Sequence, residues 1–237
     1  MKKIILMMMA VSVVISLSAC GGDDKKEDET TSENKTAVET EAVSQEKEAE
    51  KVTESKYSKG DIITMGTYEQ DNDLSNGKEP IEWIVLDTDG NKTFVVSKYS
   101  LDEKPIDDSE KEEISWEECS LRTWLNDEFF NETFTEEEKD IILSRELENA
   151  TDKVFLLSVD EAEKYFANSE ERKALATEYY KSICTYINTN TGTTFWWLRT
   201  QGENGGACGV RTSGELNTRG AIAISYAVRP AMWIEIE

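Results

Sequence analysis

The chain has 237 residues, with 26 basic and 49 acidic side chains, a net charge of −23 and no histidine. The acidic excess argues against nucleic-acid backbones and anionic membrane surfaces as partners. The lack of imidazole removes Ser-His-Asp and Cys-His nucleophilic arrangements and the commonest transition-metal ligand, so a zinc, iron or histidine-relay enzyme is not expected.

The chain opens "MKKIILMMMAVSVVISLSAC". Two lysines precede an uncharged apolar run from Ile4 to Leu17, too short to span a bilayer comfortably, and small residues lead into Cys20. The ending "LSAC" resembles the lipobox of bacterial lipoproteins. That resemblance implies a signal peptide over residues 1–19 and a lipid on Cys20 as the first mature residue. The chain is then expected on the extracytoplasmic face of the cell membrane, touching it through the lipid alone. From Gly21 to Lys56 there is no aromatic residue, no Leu and no Ile, and twelve acids stand against six lysines. Such a stretch cannot bury enough apolar surface to offset the entropy of ordering, so residues 20–56 read as the lipidated cysteine and a disordered acidic tether.

Residues 57–237 hold every Trp, Tyr and Phe of the chain and carry 18 basic and 37 acidic side chains, a net charge of −19. Their length suits one domain with a sizeable core. Residues 61–68, 79–89 and 92–99 are rich in β-branched and aromatic side chains. The last two runs are split by Asp89-Gly90-Asn91, which predicts a hairpin. Ser115 with Glu118, Thr135 with Glu138 and Ser158 with Glu161 each fit the S/T-x-x-E capping box. They predict helices over 116–129, 136–144 and 159–166, the last after a short buried strand, "KVFLLS". A further helix is predicted over 170–187. The chain then turns Gly-rich, with "FWWLR", "CGVRTSGEL" and "VRPAMWIEI" as strands. Strands first, helices in the middle and strands last predict an α+β fold whose two ends meet in one sheet.

The segments "GDIITMGTYEQD", "EPIEWIVLD", "SWEECSLRTWLNDEFFNETFTEEEK", "DKVFLLSVDEAEKYF", "WWLRT" and "VRPAMWI", in this order, resemble a bacterial family, the domain of unknown function 6273, from about Lys59 to the C-terminus. The late "WWLR…G…VRPA" half is similar, more loosely, to the C-terminal part of C-type-lectin-like domains and of the formylglycine-generating-enzyme group. The resemblance implies a single C-type-lectin-like domain at the cell surface, with Trp196, Trp197, Arg199 and Arg229 in its signature pieces. It implies no particular activity. Family members read "WWLRSPG" where this chain has "WWLRTQG", which makes the loops between 175 and 203 the part most particular to it.

For chemistry, the 37 acids of the domain single out no glycosidase-like pair. "GENGGACG" lacks the lysine and helix of a phosphate cradle and reads as a turn. "WLND" (124–127) falls in a predicted helix and "DTDGN" (87–91) is already a hairpin turn, so no metal and no cofactor are expected. Cys119 falls on an aromatic helix face and reads as buried and inert. Cys184 and Cys208 are the one pair to test as a disulfide, as exported chains meet oxidising conditions.

Trp196 and Trp197 alternate along a strand, one toward the core and one outward or under a loop. Arg199 and Arg229 would be structural, and a buried guanidinium would need carboxylate or carbonyl partners. The loop carrying Gln201, Glu203 and Asn204 is the expected place for ligand contacts, because irregular loops on a rigid sheet collect binding groups. The expected function is a non-enzymatic extracellular module that binds a glycan, a peptide or a partner protein. The alternative is an extracellular or cell-wall-acting enzyme using carboxylates or cysteine.

The anchor is directly testable. Cys20→Ser should move the protein from the membrane fraction to the soluble fraction while circular dichroism of the domain stays unchanged. Continued co-fractionation of the processed variant with membranes would refute lipidation at Cys20.

Overall fold

A computed structural model of the protein describes residues 55–109, 111–221 and 224–236. The signal run, Cys20 and the tether as far as residue 54 lie outside the described residues. The domain opens with β1 (Ile62–Tyr68), β2 (Glu79–Asp89), β3 (Lys92–Ser97), β4 (Tyr99–Ser100) and β5 (Asp102–Pro105). A 3₁₀ turn (Trp116–Glu118), α1 (Ser120–Trp124), a π-helical turn (Leu125–Phe129), α2 (Phe130–Thr133) and α3 (Glu136–Ile141) follow. Next come β6 (Ile142–Leu143), β7 (Arg145–Leu147), β8 (Ala150–Asp152), α4 (Val159–Tyr165), α5 (Ser169–Arg172), β9 (Leu175–Ala176) and α6 (Glu178–Ile183). The last five strands are β10 (Trp196–Gln201), β11 (Ala207–Val210), β12 (Leu216–Ala221), β13 (Ser225–Val228) and β14 (Ala231–Glu235).

The fold is mixed α/β with largely antiparallel sheets. One five-stranded sheet runs in the order β1-β2-β3-β14-β6, so the first strands and the last strand do share a sheet. The other runs β12-β11-β10-β13-β5, with one parallel pair, β10 beside β13. The 89–91 turn does close a β2–β3 hairpin, with Asp89 paired to Lys92 and Gly90 at a positive φ of 60°. β1 is bent by a bulge at Gly66, also at positive φ. Its N–H donates to Glu138 Oε1 at 2.8 Å, and a Cβ there would meet the Phe134 ring at 2.7 Å. Only glycine lets α3 dock this closely on the strand.

The Thr135 and Ser158 capping boxes are formed in both directions. The Ser115 box is not. The Ser115 side chain makes no cap bond, the 3₁₀ turn stops at Cys119 in extended conformation, and α1 starts afresh at Ser120. The reason is a stronger cap from elsewhere: the Asp107 carboxylate accepts the Ser120 N–H at 2.8 Å. The helix predicted over 170–187 is divided into α5 and α6, because residues 175–176 pair with β4 instead. "KVFLLS" is a buried extended segment, tied to β14 by the Phe155–Ala231 bridge.

The core is one continuous cluster that includes Trp83, Phe94, Phe129, Phe155, Trp196 and Trp197. β10 is central in its sheet and buried on both faces, so of the two placements expected for its second tryptophan, outward or under a loop, the outward one is corrected: both Trp196 and Trp197 are 0 % exposed. Trp197 packs edge-on to Tyr226 at 4.7 Å and donates to the Lys104 carbonyl at 2.9 Å. Trp196 faces the other way, donates to the Arg172 carbonyl at 3.1 Å, and lies 4.9 Å from the Arg229 guanidinium.

Arg229 is 1 % exposed and has no carboxylate partner among the described residues. Its Nε donates to the Ser97 carbonyl at 2.8 Å, its planar group lies between the Trp196 and Phe166 rings, and Nη1 has no hydrogen bond. Burial pushes its pKa down to about 9, still charged at neutral pH.

Trp197→Ala should therefore cost about 3–5 kcal/mol of unfolding free energy, read from the denaturant midpoint. Arg229→Ala should cost about 2–4 kcal/mol, through lost packing and an unpaired Ser97 carbonyl. Arg229→Met, which keeps the stem and deletes the charge, should cost clearly less. Equal losses for Met and Ala would mean that the charge itself is needed.

Candidate functional site

The loop with Gln201, Glu203 and Asn204 is a short link between β10 and β11, held by its backbone. Gly202 N–H donates to Gly206 O at 2.6 Å, Glu203 N–H to Thr218 O at 3.2 Å and Asn204 N–H to Arg219 O at 2.8 Å. Gln201 Nε2 donates to the Ile114 carbonyl at 3.1 Å, which clips the loop onto the segment before α1. Glu203 and Asn204 are exposed, with no side-chain hydrogen bond among the described residues. The three residues do not line any of the concavities described below.

Arg199 lies deeper, 8 % exposed. Its Nη1 donates to the Leu156 carbonyl at 2.7 Å and pairs closely with Glu161 Oε2, while its guanidinium stands 5.6 Å from the Phe155 ring centre. Glu161 also accepts the Ser158 N–H, so one carboxylate serves both the start of α4 and the middle of β10. Arg199 and Arg229 both have structural partners.

The three cysteines Cys119, Cys184 and Cys208 are free thiols, so the disulfide tested for Cys184 and Cys208 is not formed. The two occupy unrelated elements, Cys184 at the C-cap of α6 and Cys208 within β11. Burial pushes all three thiols up, Cys119 to about 11, which disfavours the nucleophilic thiolate form.

A concavity of about 800 Å³ runs along Tyr57, Ile62, Met65, Ile141, Ile234 and Ile236, with Glu138, Asp140 and Glu235 also on its lining. Glu138 is already committed to Gly66 and to the Thr135 cap, and Glu235 accepts from Asn91 Nδ2, so among its carboxylates only Asp140 has no partner among the described residues and the trough lacks the convergent free polar groups of a ligand site.

Those groups occur around Trp124, where three concavities meet. One of about 520 Å³ is lined by Asp107, Asp108, Ser109, Glu118, Ser120, Thr123, Asp127 and Glu128, with Lys111 as its one cation. A second, of about 270 Å³, continues past Glu103, Lys104 and Leu121. A third, of about 150 Å³, lies between Tyr68, Glu69, Glu128, Phe129 and Tyr179. Trp124 lines all three. Its indole Nε1 is buried without a hydrogen-bond partner, and the Lys104 ammonium stands 4.3 Å from its ring.

Buried polar groups hold this surface in place. Asp152, 1 % exposed, accepts from Trp116 Nε1 at 2.8 Å and Arg122 Nε at 2.6 Å, fixing the 3₁₀ turn and α1 to β8. Asn126 donates to the Arg122 and Val154 carbonyls and accepts from the Lys153 and Val154 N–H groups. Taking up the Arg122 carbonyl from within the helix accompanies the π-turn that follows Trp124. Burial opposes ionisation of Asp107, but bonds from Ser109 and Ser120 outweigh it and hold its carboxyl below the usual range. Tyr68 donates to Asp102 at 2.6 Å, and burial together with that carboxylate keeps its hydroxyl protonated.

Sequence reasoning considered 124–127 only as a metal-like string. The overlooked signal is the spacing of Trp124, Asp127 and Glu128 at i, i+3 and i+4, which places an aromatic ring and two carboxylates on one helix face.

A family model described as a domain of unknown function, DUF6273, matches residues 90–236. β1 and β2, whose segments carry part of the resemblance, precede that span yet complete the sheet that holds β14. No curated protein matches the chain, and no solved structure does. No helix among the described residues is long and apolar enough to cross a membrane.

The loop assignment has a simple test. Because the loop is held by its backbone, Glu203→Ala and Asn204→Ala should each change stability by less than about 0.5 kcal/mol. A larger loss in thermal or chemical unfolding would reveal a packing role for those side chains.

Proposed function

The chain belongs to the DUF6273 family of domains of unknown function, and for this member we propose a non-enzymatic extracellular binding module, displayed by a lipid on Cys20. Its ligand seats in the acidic groove around Trp124, and a basic peptide segment is the class that fits best. The observation that carries this reading is the meeting of three concavities at one partly exposed tryptophan bordered by Asp107, Asp108, Asp127 and Glu128. Carboxylates and an aromatic face both attract cations, and Lys104 already stands against the ring. The domain's surplus of acids extends that attraction beyond the groove.

A glycan is the second reading, favoured by the partly exposed Trp124 ring and the hydroxyls of Ser109, Ser120 and Thr123 at the same place. The C-type-lectin-like architecture belongs to this proposal and is supported by the joining of the domain's first and last strands in one sheet, with the "WWLR" and "VRPA" pieces late in the fold. The enzymatic alternative draws on the same carboxylates. The protonated thiols give it no support from cysteine.

Calorimetric titration of the full-length protein in detergent with a Lys/Arg-rich peptide and with a neutral oligosaccharide separates these readings. Peptide binding should weaken with salt and fall at least tenfold, about 1.4 kcal/mol, in Trp124→Ala and in the double variant Asp127→Asn/Glu128→Gln. Unchanged affinity in both variants would remove the groove as the site. Preferential binding of the oligosaccharide would favour the glycan reading, and turnover of either ligand, abolished by Glu128→Gln, would favour the enzyme.

A further inference from the structure

Residues 69–78 connect β1 to β2 and bring three carboxylates together. Tyr68 and Glu79 form the last cross-strand pair, so Glu69 is the first residue beyond the ladder. One carboxylate oxygen from each of Glu69, Asp71 and Glu79 lies within 4.8 Å of the other two. Oxygens sharing one calcium ion at 2.3–2.6 Å can be at most about 5 Å apart, so this spread suits a common ion.

A second observation does not depend on that spacing. Glu69 is only 7 % exposed, and its Oε1 is buried without any hydrogen-bond partner. A carboxylate oxygen in such a place is unfavourable unless a donor or a cation faces it. The other two acids have partners from the loop itself. Glu79 Oε2 accepts the Gln70 and Asp71 N–H groups at 2.7 and 3.2 Å, and Asp71 accepts from Asp73 N–H and Asn76 Nδ2, both at 2.8 Å. No lysine or arginine among the described residues forms an ion pair with any of the three.

We propose that Glu69, Asp71 and Glu79 form a calcium site at the β1–β2 connection. The donor set is all carboxylate oxygen, which suits a hard cation. Zinc is disfavoured because no histidine exists in the chain and no cysteine belongs to the cluster. Magnesium demands near-ideal octahedral geometry at about 2.0–2.1 Å and dehydrates reluctantly, so an all-carboxylate cluster on a loop suits calcium better. The ion would also brace neighbouring structure. The loop docks on α6 through Tyr179 N–H to the Gln70 carbonyl at 3.0 Å and Ser182 Oγ to Asn72 Oδ1 at 3.0 Å. Calcium would therefore clamp the β1–β2 connection against that helix.

The test is calorimetric titration of the full-length protein in detergent, stripped with EGTA, with CaCl₂ alone, paired with thermal melts in calcium and in EGTA. The expected result is one saturable calcium per chain, with Kd on the order of 10⁻⁴ to 10⁻³ M, and a melting temperature that rises with calcium. MgCl₂ should bind at least tenfold more weakly. Glu69→Gln and the exposed Asp71→Asn should each lose at least tenfold in calcium affinity with unchanged circular dichroism, whereas Glu146→Gln, an exposed acid elsewhere, should bind as the parent does. Absence of saturable binding by the parent, or parent-like binding by both Glu69→Gln and Asp71→Asn, overturns the proposal.

Discussion

The two large sheets are joined at a seam organised by the Arg229 side chain. Two of the chain's passages between these sheets, through residues 97–102 and through 228–231, run side by side. Ser97 N–H donates to Pro230 O at 2.8 Å and Leu101 N–H to Val228 O at 3.1 Å. Arg229 reaches across the same place to the Ser97 carbonyl, and its guanidinium fills the space between Trp196 and Phe166. A guanidinium is weakly hydrated and planar, so it tolerates an aromatic sandwich that an ammonium would not. Trp196 in turn bonds to the Arg172 carbonyl at the end of α5. One residue thus fixes where β3, β10, β13, β14 and α5 meet.

A second set of buried polar groups positions the helical segment that carries the groove. Asp107, Asp152 and Asn126 come from an extended segment, a short strand and the helix itself. Each also takes partners from distant positions: Ser120 for Asp107, Trp116 and Arg122 for Asp152, and Lys153 and Val154 for Asn126. These interactions break the predicted helix at Cys119, cap it at Ser120 and place Trp124 before a π-turn. The carboxylates that line the groove are consequently of two kinds. Asp107 is spent on structure, whereas Asp127 and Glu128 are exposed and free to meet a ligand. The same distinction applies at the β1–β2 connection, where Asp71 and Glu79 hold the loop and Glu69 Oε1 is buried without a hydrogen-bond partner.

How much could be read without tertiary structure depended on the range of the interaction. The β2–β3 hairpin and the Thr135 and Ser158 capping boxes are local: their donors and acceptors lie within a few residues, so composition and spacing suffice. The Ser115 box has the same spacing and fails, since Asp107, outside its window, captures the helix start. Residues 170–187 have helical spacing and are nevertheless interrupted, because the pairing of 175–176 with β4 outweighs a weak local preference.

By itself the sequence determined the alternation of elements, the meeting of the domain's first and last strands in one sheet, and the burial of the tryptophan and arginine pieces near the C-terminus. These follow from residue type and periodicity, which act at short range. Only the tertiary structure decided that both Trp196 and Trp197 are enclosed, that Arg229 is held by aromatic rings and a carbonyl in place of a carboxylate, and that Cys184 and Cys208 stay apart. It also brought three concavities together at Trp124, away from the loop of Gln201, Glu203 and Asn204, and gathered Glu69, Asp71 and Glu79 at one end of a hairpin. The physical reason is that a concavity, or a shared ion, depends on distances between side chains that the chain brings together only by folding, and periodicity along one element carries no information about them.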